Sequence, residues 1–244
     1  MTKKKIRLIV TTIVALMTLT IMCTAVSSAA SKKTYRLPVK IKTQDSEVMK
    51  ITYKGNIVKY SFPGNGWQKF TYKGKNKYKL KSTLYWIKDS ATVRTKSGHV
   101  VSLKGKDDEG KYSIKYTYKK GKVRKFIKNA TLTDNDDYKR SKNVTTIKTD
   151  KHGNVKKAIV KIKWTKHNGK VTKELHKDVY RNKYKGKYLT KSAVTFYGRA
   201  GRRWSPEWAT TRKITYKEMK LTKKQYKKYK PIIEYLIRDY STLY

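Results

Sequence analysis

Along most of the chain, apolar and polar residues alternate one by one, the period of a strand with one covered face and one open face. In Lys157 to Trp164, Ala158, Val160, Ile162 and Trp164 fall on one side of an extended segment, and Lys157, Lys161 and Lys163 fall on the other. Tyr112, Ile114, Tyr116 and Tyr118 alternate in the same way with Ser113, Lys115 and Thr117. Glycine turns interrupt these runs at Lys54-Gly55-Asn56, Lys73-Gly74-Lys75, Ser97-Gly98, Lys120-Gly121-Lys122, His152-Gly153-Asn154 and Asn168-Gly169-Lys170. Such turns supply the positive φ angles of tight hairpins, so the pattern predicts about ten strands, each antiparallel to its neighbour in sequence. The fold class is all-β: an antiparallel meander of tandem hairpins forming a sandwich or open barrel. Thr133 to Asn143, polar and rich in turn formers, reads as the longest loop.

Two hairpins resemble each other. Lys115 to Lys125 matches Lys161 to Lys173 once two residues, His167 and Asn168, are inserted, and Ile51 to Lys59 is a looser echo. Duplication and shared lysine-rich composition explain this equally well.

Near the C-terminus the period lengthens. Tyr226, Tyr229, Ile232, Ile233, Leu236, Ile237 and Tyr240 recur at three- and four-residue spacing behind a Thr222/Gln225 capping box, predicting an amphipathic helix over 222–241. Pro231 is expected to kink or split it. Its apolar face suits packing on the sheet, and a membrane-surface helix is the alternative because lysines cover the other side.

The first thirty residues have the three parts of an export signal. Lys3, Lys4, Lys5 and Arg7 precede an apolar stretch from Leu8 to Val26, and Ser27-Ser28-Ala29-Ala30 offers a small-residue cleavage site. An uncleaved membrane anchor is the competing reading, since the stretch approaches the length that spans a bilayer. The chain then divides into a signal peptide (1–30), a lysine-rich β domain (31–218) and a C-terminal helical segment packed on the sheet (219–244). Its destination is the secreted space or the extracellular cell surface. The single cysteine, Cys23, would leave with the signal, so the exported chain holds no disulfide and no thiolate chemistry.

Charge adds what patterning cannot. The chain has 62 basic and 16 acidic residues, a formal +46, of which cleavage of the signal removes only four positive charges. Such a surface captures polyanions by long-range attraction. Of the basic residues 51 are lysine and 11 arginine. Lysine is a hydrated point charge without the planar fork of arginine, so the composition suits diffuse attraction more than specific readout. The exception is Arg199-Ala200-Gly201-Arg202-Arg203-Trp204, where Arg199, Arg202 and Arg203 surround a glycine and Trp204 and Trp208 are available for stacking. The 20 tyrosines suit half-exposed sheet faces.

Motifs for catalysis are sparse. Glu174 and His176, two apart in a strand, share one sheet face and form the best acid–base pair, one that an extracellular nuclease would use beside a lysine. No cofactor or metal is expected: Asp134-Asn135-Asp136-Asp137 has oxygen ligands but lacks the glycine and closing glutamate of an EF-hand loop, and its acids are expected to pair with Lys139 and Arg140. Asn129-Ala130-Thr131 and Asn143-Val144-Thr145 are glycosylation sequons.

The leading expectation is a non-enzymatic protein that binds an anionic polymer or an anionic membrane surface through Lys157, Lys161, Lys163 and the arginine segment. The polymer classes are an envelope polyanion, an acidic polysaccharide or nucleic acid without sequence preference. The alternatives are an extracellular hydrolase and a structural, adhesin-like envelope protein.

Overall fold

The computed structural model describes residues 31–238 other than 45–47, 85–86, 134 and 201–202. The signal segment, Arg202 and the last three residues of the expected helix lie outside the described residues.

The alternating segments form fourteen strands: β1 (Lys32–Thr43), β2 (Val48–Lys54), β3 (Ile57–Phe62), β4 (Gly66–Tyr72), β5 (Lys77–Ser82), β6 (Asp89–Lys96), β7 (His99–Lys106), β8 (Gly110–Lys119), β9 (Lys122–Leu132), β10 (Tyr138–Thr149), β11 (Val155–Lys166), β12 (Val171–Lys185), β13 (Tyr188–Ala200) and β14 (Arg203–Thr222). Each pairs antiparallel with the next, and β1 pairs with β14 from Lys32↔Thr222 to Thr43↔Arg212, so the sheet closes into a barrel. The meander therefore has more strands than the marked turns suggest. Connections such as Asp107 to Glu109 and Lys185-Gly186-Lys187 also turn the chain, and closure depends on a pairing between its two ends that no local signal marks.

The expected loop over Thr133–Asn143 is shorter than read. Tyr138 begins β10 and residues 138–143 pair with β11. Just before the strand the side chain of Asn135 accepts hydrogen bonds from the amides of Asp137 (3.2 Å) and Tyr138 (2.7 Å), which closes the turn locally.

The two look-alike hairpins differ in build. β8 and β9 meet in a two-residue turn, Lys119↔Lys122, with positive φ at Lys120 (50°) and Gly121 (69°). β11 and β12 are joined by a longer turn in which the amide of Gly169 bonds the carbonyl of Lys166 at 3.0 Å. In an up-and-down barrel the β8–β9 and β11–β12 turns fall at opposite ends.

Helix α1 (Lys223–Arg238) follows β14 directly. Its capping box forms as expected: the Thr222 amide donates to Gln225 Oε1 (2.9 Å) and the Gln225 amide to Thr222 Oγ1 (3.2 Å). The helix runs unbroken through Pro231, so the expected split does not occur. Its partners are hairpin tips of one barrel end. Tyr229 donates to the Gly55 carbonyl (3.0 Å), Lys228 to Asn56 Oδ1 (2.6 Å), and Glu234 meets His99 Nδ1 at 2.9 Å. Tyr78 donates to the Lys228 carbonyl at 2.7 Å, one turn before the proline. The helix thus lies across this mouth with Tyr229, Ile232, Ile233 and Leu236 directed into the barrel, where they join Leu37, Ile41, Tyr60, Phe70, Leu80 and Val93 in the main core. Ile232 is fully buried, so the apolar face is covered and not free for a membrane.

The wall is apolar inside and basic outside. In β5, Tyr78, Leu80 and Ser82 are buried while Lys77, Lys79 and Lys81 are exposed. Barrels that face hydrocarbon have the reverse arrangement, an apolar outer band around a polar lumen.

Candidate functional site

Strand register brings lysines together in ways that spacing along the chain hides. Residues directly opposite in a sheet share a face about 4.8 Å apart. On the outer surface Lys42, Lys213, Lys191 and Lys183 stand opposite one another across β1, β14, β13 and β12. Lys59, Lys69 and Lys81 do so across β3, β4 and β5, and Lys142, Lys163 and Lys173 across β10, β11 and β12. Like charges directly opposite repel, so each row carries an unbalanced electrostatic cost.

The third row borders an opening in the wall. β12 pairs with β13 only from Lys177↔Tyr197 onward; beyond it, residues 171–176 remain paired with β11 and residues 198–200 with β14. A bulge between Phe196 and Tyr197 explains the parting: Trp208 opposes Phe196 and Pro206 opposes Tyr197, leaving Glu207 extra. A bulge increases local twist and bends the strand, which swings the β13–β14 tip away from β12. Glu207 lays its carboxylate against Gly198, in space that any Cβ would occupy. The resulting cleft of about 690 Å³ is lined by Lys142, Lys161, Lys163, Lys173 and Arg199 together with Glu174, His176 and Glu207.

This cleft brings residues expected to serve two different functions to one opening, the lysines from the outer face of the wall and Glu174 and His176 from the inner face. Glu174 Oε2 and His176 Nε2 are 3.2 Å apart with side chains 48% and 36% exposed, so the acid–base pair forms at the rim in contact with water. Asp178, next on the same face, is buried; burial pushes its carboxyl up to about 6, and His176 pulls the other way.

Other expected residues are dispersed. Lys157 stands on the outer face opposite Lys148 and Val179, toward the plugged end. Arg199 opposes Trp204, and Arg203 opposes Ala200, so strand alternation sends Arg199 and Arg203 to opposite faces of the hairpin. They do not form the single cluster that their spacing suggests. Trp204 is already engaged, since Lys177 Nζ lies 4.7 Å from its ring centroid and 4.1 Å from that of Tyr197. Trp208 stacks on Phe196 at 3.8 Å and stays 45% exposed. Asn129 is exposed on the outer face beside Lys142, whereas Asn143 faces inward with its Oδ1 buried.

The acidic turn shows no ion pair with Lys139 or Arg140 among the described residues; the Lys139 ammonium instead donates to the His167 carbonyl at 3.2 Å. Among the described residues no cluster of three metal-ligating side chains occurs.

Sequence reasoning missed Trp67, Lys142, Lys173 and Glu207. Trp67 sits between Lys59 (5.6 Å) and Lys69 (5.5 Å), an exposed-face ring flanked by two ammonium groups. The i,i+2 relation of Trp67 and Lys69 was a usable signal; the approach of Lys59 and the role of Glu207 depend on register and a bulge, which the chain does not advertise.

No family model matches the chain, and no curated protein does. Among solved structures it is similar to a porin-like protein from Bacteroides uniformis ATCC 8492, with 7% identity and a TM-score of 0.39 over 76% of this chain and 98% of that one.

Proposed function

We propose that the protein is an exported or surface-associated, non-enzymatic binder of anionic polymers, which lie along the outer wall and enter the cleft between β12 and β13. The observation that carries this reading is the set of in-register lysine rows. Four lysines opposite one another across β12, β13, β14 and β1 span roughly 14 Å, and an anion of comparable length would relieve the mutual repulsion of the whole row. Residues 1–30, with the features of an export signal, support the destination. Trp67 between two lysines offers a ring on which a sugar or base could stack.

Retention of the purified protein on duplex DNA, on a uronic-acid polymer and on anionic vesicles, each across a salt series, tests the reading. Affinity should fall steeply with salt, the logarithm of the binding constant dropping about 0.9 per logarithmic unit of salt for each duplex phosphate neutralised. Replacing Lys142, Lys163 and Lys173 together by glutamine should weaken binding and flatten the slope. No retention at low salt, or retention indifferent to salt on every polymer, overturns it.

The Glu174–His176 contact, on the inner face of β12 at the edge of a cleft whose outer face carries the lysines, favours one second reading, a hydrolase that cleaves the bound polymer. Cleavage of RNA or DNA abolished by His176→Ala would establish it; the absence of cleavage removes it.

A further inference from the structure

A second concave site lies at the opposite end of the barrel from the cleft. Between α1 and the ends of β1, β13 and β14 is a pocket of about 300 Å³, lined among others by Arg36, Lys187, Tyr188, Tyr216, Tyr226 and Lys230. Its volume is at the lower end of the range of small-ligand pockets, enough for one sugar-sized unit. The Arg36 guanidinium is held in place by two rings, its carbon 5.1 Å from the Tyr188 centroid and 5.8 Å from that of Tyr216. Tyr216 is itself fixed, donating to the Leu189 carbonyl at 2.9 Å. Lys187, on the β12–β13 turn, lies 5.6 Å from the other ring, that of Tyr188. Tyr226 is stacked on Tyr35 at 4.0 Å.

The charge here is not balanced from within. Glu234 also borders the pocket, but its carboxylate is engaged by His99 at 2.9 Å and approached by Lys230 at 3.8 Å. Glu218 stands directly opposite Arg36 across β1 and β14, but among the described residues no ion pair joins them, and the guanidinium lies against the two tyrosine rings. A half-buried guanidinium packed against two aromatic rings and drawn into no ion pair is suited to grip an oxyanion in bidentate fashion. Tyrosine rings around it supply flat surface for the apolar face of a sugar.

We propose that this pocket is a subsite for a single oxyanion-bearing sugar unit, of the size of a uronic acid, at the end of an anionic glycan. The proposal rests on the polymer reading above and gives it a specific contact: the outer wall holds the length of the chain, and Arg36 holds its terminal unit.

Titrating the purified protein with glucuronate, and separately with inorganic phosphate, tests it by calorimetry or by chemical shifts of the tyrosine rings. Glucuronate should saturate one site per chain at millimolar concentration, and Arg36→Ala should weaken it at least tenfold while leaving retention on the uronic-acid polymer within about twofold, since the wall lysines carry most of that binding. Because Arg36 packs on two rings, Lys187→Ala on the exposed turn provides a second variant, expected to weaken glucuronate about threefold with the melting temperature unchanged. No saturable glucuronate binding, or binding unaffected by both variants, overturns the subsite. Phosphate bound as tightly as glucuronate overturns the sugar-sized assignment. Loss of polymer retention in the unaltered protein, with glucuronate still bound at Arg36, strikes the polymer reading instead.

Discussion

The two stretches of wall, β1–β8 and β9–β14, share a lysine-rich exterior and differ in what they hide. Inside the first stretch the most deeply buried positions are apolar, Val58, Tyr60, Phe70, Leu80 and Val93 meeting the face of α1, while the buried polar ones, Gln68, Ser82 and Thr95, carry no charge. Inside the second, buried positions include Thr145, Asp178, Ser192 and Arg212; Leu189, Ile214 and Leu221 join the main core beside α1, and away from the helix a smaller apolar cluster forms around Phe126, Ile147 and Val194. The difference follows from where the helix reaches. A wall with an apolar partner can bury hydrocarbon, whereas a wall without one must satisfy polar groups from its own strands. Asn182 donates to Asp150 (3.0 Å) and to the Val155 carbonyl (2.9 Å), Ser192 donates to Asn182 (2.8 Å), and Tyr184 donates to Asp150. Burial alone would raise the Asp150 carboxyl, but these donors and the amides of Asn154 and His152 together hold it below the ordinary range. Arg212 ties the two stretches together, its guanidinium donating to the Ile237 carbonyl at the end of α1 (3.1 Å). The second stretch, less bound by packing, is also the one whose wall opens.

The largest test of this contrast is to remove hydrocarbon from each side. Ile232→Ala, at a fully buried helix position, should cost about 2–5 kcal/mol by urea denaturation, because the enclosed core cannot collapse around the cavity. Val160→Ala, half-buried on the inner face of β11, should cost about 1 kcal/mol. Equal losses would mean that the second stretch is packed like the first.

A smaller effect with the opposite sign is expected at Asp178. Its carboxyl titrates near 6 in the fold against an ordinary value of 3.8, so the folded state binds the proton more tightly than the unfolded chain does. Stability therefore falls as pH rises from about 4 to about 6 and is flat beyond. Asp178→Asn removes that cost: the variant should be more stable than the parent by about 2–3 kcal/mol above pH 6 and equal to it below pH 4. Melting curves across this range decide the point, and a variant less stable at neutral pH would show that the buried carboxylate has partners which favour its charge.

What the sequence discloses follows the range of each interaction. The alternation in β8 and β11, the Gly121 turn and the Thr222/Gln225 cap are local, and all were legible from neighbouring residues. The inner position of Ala158, Val160, Ile162 and Trp164 was legible too, since one face of a strand is fixed by its period. Closure through β1 and β14 was not, because it joins residues almost two hundred positions apart. The lysine rows depend on register, which shifts at the bulges near Pro38, Arg94 and Phe196. The cleft depends on one such bulge, so Lys161, Lys163, Glu174, His176 and Arg199 were named one by one from the sequence while Glu207, placed by the bulge, was not.

The smallest expected effect compares one substitution made in both stretches. Gly105 and Gly198 both lie in strands without a left-handed backbone, so alanine is strained at neither by its φ. At Gly105 a Cβ would stand 2.6 Å from the Cβ of Ala91 and 2.6 Å from the Ser90 carbonyl oxygen, atoms of the paired strand that cannot withdraw without moving the wall. At Gly198 it would meet the Glu207 side chain, which can turn out into the cleft. Gly105→Ala should thus cost about 1–3 kcal/mol by overpacking, and Gly198→Ala no more than about 0.5 kcal/mol. Both are read from urea midpoints at constant slope. A Gly198→Ala cost as large as that at Gly105 would require Glu207 to be held as rigidly as backbone, and the cleft would then be a closed joint in the wall, with no room for a polymer to enter.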